Sequence, residues 1–231
     1  MIPPLIIKRA KQLGLGMIAI TDHHACHNVE SVIKASEGSG IHVFPGMEIQ
    51  TKEEIHLLCL FDTAAQCREW QEEVFKELPR LMNRESVFGP QYVVDATGKW
   101  LWTEERLLSV STELGLEKAI EKVRNLAGIT IPAHVDRPTF SLLSNLGIIP
   151  EHLRVAGLEV TPGFLPESGF VQWPELKAWG LMVNGDAHRL QEMQNRTLFK
   201  IADPSVRELA LALKGEEGRQ VLVEWLEPTH H

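Results

Sequence analysis

Four short apolar runs in this sequence end in histidine or carboxylate side chains. Apolar runs of this length are typical of buried strands, whose ends fall at the edge of a sheet. His and carboxylate groups delivered by several strand ends to one rim are the ligands that a cluster of divalent metals needs. The pattern therefore predicts a metalloenzyme. The residues at these four ends are His23, Glu48, His134, Asp186 and His188.

The spacing of these residues indicates how they could share metal ions. Glu48 has two carboxylate oxygens, each of which could take one ion. His56 lies eight residues further on, so an antiparallel hairpin would bring Glu48 and His56 to one rim, where His134 could complete the site. At a spacing of two on extended backbone, Asp186 and His188 project to the same side and could contact the same cluster.

Two further residues are candidates for catalysis. Asp22 precedes His23 and could either fix the tautomer of that imidazole or bind a metal directly. Arg137 lies just after His134 and could grip a phosphate through paired guanidinium hydrogen bonds, or form a surface salt bridge. We expect Glu159, on another strand, to order the floor of the site rather than to bind metal.

No other catalytic signature competes with this metal cluster. The sequence contains no Gly-rich phosphate loop, nucleophile elbow, dinucleotide fingerprint or His-Glu-x-x-His helix. The net charge of −8 argues against broad binding of long nucleic acid, which needs many cations to neutralise phosphates. We expect the tryptophans to pack in the core or at the rim, with base stacking near Lys99 as the less favoured alternative.

The bulk composition is that of an ordinary cytoplasmic protein. At 231 residues, with 44% hydrophobic and 23% charged residues, the chain can bury a sizeable core. No apolar run of about 18 residues and no secretory signal is visible, so we expect no membrane segment. The three cysteines form no paired framework, which fits a reducing cytoplasm.

Strand-like and helix-like segments alternate along the whole chain. This alternation predicts an α/β fold with helices covering a parallel sheet, open or closed into a barrel, as a single domain over residues 1–231. We expect a long helix at 64–81, a shorter one at 104–108 and a rim loop at 95–103. The first element, at 3–13, is predicted to be a helix, whereas such folds usually begin with a strand. We therefore expect an opening strand to be missing, which would expose a sheet edge and favour association.

Several motifs of the chain, taken together, resemble those of the PHP (polymerase and histidinol phosphatase) superfamily in order and rough spacing. The resemblance spans about residues 3–189. It implies a distorted (β/α)₇ barrel with a trinuclear zinc, manganese or iron site at the C-terminal strand ends, and it implies phosphoester hydrolysis. The matching motifs are Thr21-Asp22-His23, Gly46-Met47-Glu48, His56, Ala133-His134 and Gly185-Asp186-Ala187-His188.

Carried over residue by residue, the resemblance assigns the candidate ligands to three metal positions. The family's opening strand, which carries His-x-His and should precede Pro3, is absent. The third position therefore loses most of its ligands and the second loses one, so we expect two to three divalent ions. In this assignment Glu48 bridges, His56 and His134 complete the first position, His23 and His188 share the second, and Asp186 serves the third.

The leading hypothesis is a metal-dependent phosphoesterase acting on a small phosphorylated metabolite or nucleotide through a metal-activated water. One alternative is a non-catalytic barrel that keeps one or two metals and binds a partner. Another is an amidohydrolase-type enzyme, although no strand-end lysine is available to bridge the metals in that way.

Overall fold

The computed structural model describes residues 1–226, and residues 227–231, among them His230 and His231, lie outside the described part. The chain folds into a mixed α/β structure whose helices and strands alternate in sequence. No helix in the described residues is long and apolar enough to cross a membrane. In chain order the elements are α1 (Pro3–Gln12), β1 (Met17–Ile20), α2 (Val29–Ser36), β2 (His42–Gln50), β3 (His56–Leu60), α3 (Ala64–Glu77), α4 (Glu85–Phe88), β4 (Tyr92–Val94), β5 (Trp100–Thr103), α5 (Leu116–Asn125), β6 (Ile129–Pro132), α6 (Leu142–Leu146), β7 (Leu158–Val160), α7 (Pro166–Gln172), β8 (Leu181–Val183), β9 (Thr197–Lys200), α8 (Val206–Lys214) and β10 (Gln220–Val223), with short 3₁₀ helices at Pro174–Ala178 and Leu190–Glu192.

The central sheet has four strands in the spatial order β1-β2-β3-β6. β1 is parallel to β2, whereas the β2–β3 and β3–β6 pairs are antiparallel. The expectation of a parallel sheet is wrong for these two pairs. Only residues 51–55 join β2 to β3, and a parallel connection needs a dozen or more residues; β3 and β6 are antiparallel although residues 61–128 lie between them. Within residues 1–226 the ladders do not close into a barrel. The other pairs are β7–β8, which is parallel, and β4–β5 and β9–β10, which are antiparallel.

β2, β3 and β6 are buried on both faces, which explains why they are mostly apolar; β1, at the edge, is only partly buried. Leu57 belongs to a core cluster that includes Trp70 of α3 and Val123 of α5. The next residue, Leu58, belongs to a second cluster, which includes Leu209 of α8. Successive side chains of a strand point to opposite faces, so β3 contributes to both clusters.

Three local predictions need correction. The helix expected at 64–81 ends at Glu77, because Pro79 disfavours helical backbone at the residue before it. Residues 104–108 are not helical; the Asn83 N–H donates to the Glu105 carbonyl at 2.7 Å and the Leu107 N–H to the Leu81 carbonyl at 2.9 Å, so this segment pairs in extended form. The rim loop expected at 95–103 is the turn and second strand of the β4–β5 hairpin.

Candidate metal centre

Backbone pairing continues past the end of β1 and places His23 beside Glu48. The two residues face each other in a parallel bridge. The His24 N–H donates to the Glu48 carbonyl at 3.0 Å, and the Glu48 N–H donates to the Thr21 carbonyl at 3.3 Å. The relative position of His23 and Glu48 is therefore set by main-chain hydrogen bonds rather than by side-chain packing.

The β2–β3 hairpin brings Glu48 and His56 to the same face of the sheet. His56 lies opposite Gln50, and Leu58 lies opposite Glu48, so the two site residues are cross-strand neighbours two positions apart. His134 follows β6, the strand next to β3, and its N–H donates to Glu159 Oε2 at 3.2 Å. Three strands of one sheet thus converge on Glu48, as the hairpin prediction required.

The two oxygens of the Glu48 carboxylate face different histidines. Oε1 lies 3.4 Å from His56 Nδ1 and 3.6 Å from His134 Nε2. Those two nitrogens are 3.3 Å from each other. Oε2 lies 3.5 Å from His23 Nε2. One ligand atom each from His23, Glu48 and His56 lies within 4.8 Å of the others.

This arrangement fits divalent metal ions. Ligand atoms about 2.1 Å from a tetrahedral metal are separated from one another by about 3.4 Å, which is close to the distances around Glu48 Oε1. All four side chains offer atoms that a zinc, iron or manganese ion accepts. His134 differs from most metal-bound histidines, because its Nδ1 is buried without a hydrogen-bond partner that would fix its tautomer.

The charge states of the buried groups follow from their contacts. Burial by itself would raise the pKa of Glu48, but hydrogen bonds from His134 and His56 hold it well below its usual range. The pKa of His134 is raised despite its burial, because the Glu48 carboxylate stabilises the imidazolium. Burial and repulsion from Glu48 raise the pKa of Glu159 to about 7. Without a metal, Glu48 is therefore the anionic centre of the site.

Backbone strain marks the same rim. His24, His134 and Asp186 have positive φ values of 55°, 35° and 42°. Such left-handed conformations are costly for residues with a Cβ and are found mainly at functional sites, where the surrounding structure holds them. Gly185 precedes one of them because a Cβ there would lie 2.2 Å from the Glu192 carbonyl.

The remaining predicted residues lie at the outer side of this cluster. Arg137 Nη1 donates to Asp186 Oδ2 at 3.3 Å, so Arg137 has the salt bridge that the sequence left as an alternative. His188 Nδ1 lies 2.9 Å from the backbone carbonyl of Asp186, and its side chain is exposed. Asp186 and His188 share a cavity wall with His23 and Glu48, but neither belongs to the 4.8 Å cluster.

A cavity of about 480 Å³ opens beside the cluster. Its floor is apolar, with Phe44, Leu58 and Ile131 of the central sheet among its lining residues. At one end it is lined by His23 and Glu48 of the cluster and by Asp186 and His188 of the outer side, and further polar residues from 194–197 also line it. A ligand with one anionic group and an apolar or aromatic body would match this division.

A comparison with protein-family models decides the family. The model of the PHP domain matches residues 3–140, which is more than half of the chain. The chain belongs to the PHP family. No curated protein matches the sequence of this PHP protein.

Solved structures with the same fold include nucleases and phosphoesterases. The lesion-specific endonuclease EndoQ from Pyrococcus furiosus matches 99% of this chain and 55% of its own, with a TM-score of 0.67 and 21% identity. A structure of endonuclease Q bound to a 27-mer duplex with an abasic lesion matches 95% of this chain and 53% of its own, with a TM-score of 0.63 and 20% identity. A protein from Bifidobacterium adolescentis described as a metal-dependent phosphoesterase matches 81% of this chain and 82% of its own, with a TM-score of 0.53 and 17% identity. This PHP protein spans about half the length of the endonuclease Q chains, and these identities show the fold alone.

Two residues that support the site do not stand out in the sequence. One is the buried His24, and the other is Asn28, which bridges two segments. His24 is fully buried, and its Nε2 lies 2.8 Å from the Val110 carbonyl, so it anchors the loop that carries His23. Asn28 donates to Asp22 Oδ2 at 3.4 Å and to the Tyr92 carbonyl at 3.2 Å. Only the position of Asn28 just after the Asp-His motif could have drawn attention to it.

Proposed function

We propose that this PHP protein is a metal-dependent phosphoesterase whose metals are held around Glu48. The observation that carries the proposal is the way the two Glu48 oxygens divide the histidines. Oε1 faces the nitrogens of His56 and His134, and Oε2 faces that of His23. A carboxylate that bridges two ions requires ligands on both of its oxygens, and these histidines supply them.

We infer two metal positions around Glu48 and a third at the outer side. His56 and His134 would hold the first ion together with Glu48, and His23 would hold the second together with Glu48. Asp186 and His188 line the same cavity and are the candidate ligands for completing the second position and forming a third. The donor set of imidazoles and carboxylates suits zinc, manganese or iron.

When bound, such ions polarise the phosphoryl group and make water a better nucleophile. The side chains of the chain itself bind and orient the substrate. Arg137 lies at the outer side of the site, where its guanidinium can exchange Asp186 for two oxygens of a phosphate. Asp22, next to His23 and held by Asn28, is placed to accept a proton from water near the cluster. Glu159 holds the backbone of His134 in place.

The substrate class has two candidates. The cavity of about 480 Å³ is in the size range of sites for small phosphorylated metabolites and nucleotides. The similarity to endonuclease Q, which covers 99% of this chain, supports a phosphodiester in nucleic acid as the second candidate. That similarity also stands against the exclusion of long nucleic acid on net charge, because bound cations at a site can outweigh the overall charge of a chain.

Amide hydrolysis has less support. An amidohydrolase from Chromobacterium violaceum shares the fold with a TM-score of 0.51 at 16% identity. However, no lysine is among the described residues that line the cavity, so none is available to bridge two metals as a carbamate. A non-catalytic metal-binding role would need only one closed set of ligands, and the site has an open cavity beside its ligands.

Metal content and phosphate release test the proposal together. The protein is purified without a chelating column, its metal content is measured by elemental mass spectrometry, and hydrolysis of p-nitrophenyl phosphate and bis-p-nitrophenyl phosphate is followed with added zinc, manganese or iron. We expect at least two equivalents of metal and metal-dependent release of nitrophenol. Metal binding without hydrolysis of either ester would favour the non-catalytic alternative, and less than one equivalent would contradict the assigned cluster.

A further inference from the structure

Exposed apolar side chains are concentrated in one segment of this protein. Within residues 1–226, eight of the seventeen large hydrophobic side chains that are exposed lie between residues 81 and 102. Four of the five exposed aromatic side chains belong to this segment: Phe88, Tyr92, Trp100 and Trp102. Contiguous exposed apolar surface usually marks a binding site. Because these side chains are exposed, core packing does not account for them.

The β4–β5 hairpin, residues Tyr92–Thr103, is here called the Trp hairpin. Its aromatic side chains lie on two different faces. Val93 pairs with Trp102; Val93 is buried, and Trp102 meets the His27 ring edge-on at 5.8 Å between centroids. Tyr92 pairs with Thr103, and Trp100 pairs with Val94. The register shifts between Val93 and Val94, so strand pairing alone does not place Trp100. Its Nε1 donates to Thr103 Oγ1 at 3.3 Å, and Thr103 is the cross-strand partner of Tyr92. Tyr92 and Trp100 therefore lie on the same outer side of the hairpin, where they are 57% and 58% exposed.

The Trp hairpin is attached directly to the loop that carries His23. The side chain of Asn28 donates to Asp22 Oδ2 and to the Tyr92 carbonyl, and it accepts from the Val94 N–H at 3.1 Å. Ser31 Oγ donates to the Val94 carbonyl at 2.6 Å. Val94 also shares the cavity wall with Asp22 and His23. A ligand that places a phosphate at the metal cluster therefore has the hairpin as its neighbouring surface.

The charges near the Trp hairpin are more favourable to a polyanion than the net charge of −8 suggests. Within residues 1–226, Arg80, Arg84 and Lys99 are exposed and make no ion pair. Of the neighbouring acids, Asp95 accepts hydrogen bonds from the Thr97 and Lys99 N–H groups, and Glu104 pairs with His27 and Arg106. Asp95 keeps its negative charge, because these hydrogen bonds lower its pKa. Residues 80–106 contain four Arg or Lys and four Asp or Glu, so this stretch is close to neutral whereas the whole chain is acidic.

We propose that the Trp hairpin binds an unpaired strand of nucleic acid, with bases stacked on Trp100 and Tyr92 and phosphates near Lys99 and the two arginines. This proposal rests on the proposed function, since it names the substrate class that the metal cluster would cleave. Every base has a π-face that stacks on an aromatic ring, and in a duplex those faces are already covered. Aromatic rings beside unpaired cations are the surface that single strands need, because the rings stack on bases and the cations neutralise phosphates.

Binding of a labelled oligonucleotide tests the surface without depending on catalysis. Fluorescence anisotropy of a 12-nucleotide oligo-dT is measured with the full chain in EDTA, so that bound metal contributes nothing. We expect Trp100→Ala to weaken binding about tenfold, with Trp100→Phe retaining most of the affinity because a ring remains. Lys99→Ala should weaken the salt dependence of binding. The slope of log K against log salt concentration should decrease by about 0.7, the value for one phosphate contact on a single strand.

Matched controls lie outside the segment. Val171 is 79% exposed, and Val171→Ala should bind as the wild type does; Lys214→Ala is the control for Lys99→Ala. A duplex of the same length should bind more weakly than the single strand. Thermal melting of each variant checks that the fold is intact.

The outcomes separate this proposal from the function it rests on. Equal binding by the wild type and Trp100→Ala, or no binding by the wild type, would overturn the Trp hairpin as a strand-binding surface. Light scattering that shows a wild-type dimer and a Trp100→Ala monomer, without strand binding, would instead assign the surface to a second copy of the chain. Hydrolysis of p-nitrophenyl phosphate and of the diester bis-p-nitrophenyl phosphate by the metal-loaded wild type is scored separately. Strand binding without hydrolysis of either ester would support the strand-binding surface and contradict the phosphoesterase.

Discussion

The candidate metal centre has two halves that differ in how they are held. The inner half, Glu48, His56 and His134, is buried and lies on the central sheet or directly after one of its strands. The outer half, Asp186, His188 and Arg137, has side chains that are 32%, 67% and 41% exposed. In the proposed function the inner half would hold metal with little rearrangement, whereas the exposed outer half would exchange its present partners for a metal or a phosphate.

The strands behind each half explain the difference. β2 and β3 are joined by five residues and pair over five positions, and β6 pairs with β3 over four. β8, which precedes Asp186, has three residues and pairs with β7 over three positions. Side chains on well-paired strands keep their geometry, while those after a short strand have fewer contacts to hold them.

The largest effect should come from the residue on which the inner half converges. We expect Glu48→Gln to lose the metal ions that its two carboxylate oxygens would hold and to lower phosphoester hydrolysis more than a hundredfold. Metal content and nitrophenyl ester hydrolysis measure both effects. Glu105→Gln, an exposed control, should change neither. Full metal content in Glu48→Gln would remove the bridging role.

Histidine variants compare the two halves directly. We expect His134→Ala to lower metal content by at least one equivalent without unfolding the chain, and His56→Ala to do the same. His188→Ala should keep the equivalent of metal held by Glu48, His56 and His134. It should lower only the occupancy of the outer metal position, because the His188 side chain is exposed. His152→Ala, an exposed histidine paired with Glu117, is the control. An equal loss in His134→Ala and His188→Ala would end the distinction between the halves.

Arg137 tests whether the outer half binds the substrate. We expect Arg137→Ala to raise KM about tenfold, since a hydrogen bond to a charged group contributes about 1.5–3 kcal/mol. The metal content should be unchanged. Arg137→Lys should restore part of the affinity, because lysine keeps the charge but not the paired geometry. An unchanged KM in Arg137→Ala would leave only its salt bridge with Asp186.

The smallest effect on catalysis, and a distinct effect on stability, is expected for Glu159→Gln. The pKa of Glu159 is raised to about 7 from 4.5, so the folded state binds a proton more tightly than the unfolded state. Stability of the metal-free protein should therefore fall as the pH rises from about 4.5 to about 7. Glu159→Gln should remove this loss of stability. At pH 8 its free energy of unfolding should exceed that of the wild type by up to about 3 kcal/mol.

Urea unfolding in the presence of a chelator, at pH 4.5 and pH 8, measures this difference. The wild type and Glu159→Gln should be nearly equal at the lower pH. If the variant were less stable than the wild type at pH 8, the Glu159 carboxylate would be stabilising the inner half in its charged form.

The sequence was a good guide where the relevant contacts are local. The Pro3–Gln12 helix ends within a residue of its predicted bounds, because its apolar spacing and end signals are short-range. The β2–β3 hairpin that joins Glu48 to His56 was predicted as a possibility and is confirmed. The segment at 95–103 was misjudged, since its aromatic residues carry no turn-and-strand pattern strong enough to distinguish a hairpin from a loop.

The sequence alone determined which residue types stand at the strand ends, because the side chains and their spacing are properties of the chain itself. Only the tertiary structure decided how they meet. It pairs β3 with β6, across residues 61–128, and so brings His134 to Glu48. It also leaves Asp186 and His188 at the exposed side and sets the Trp hairpin against the His23 loop. Pairings over such distances depend on which faces are buried together across the whole fold, and no local pattern records that choice.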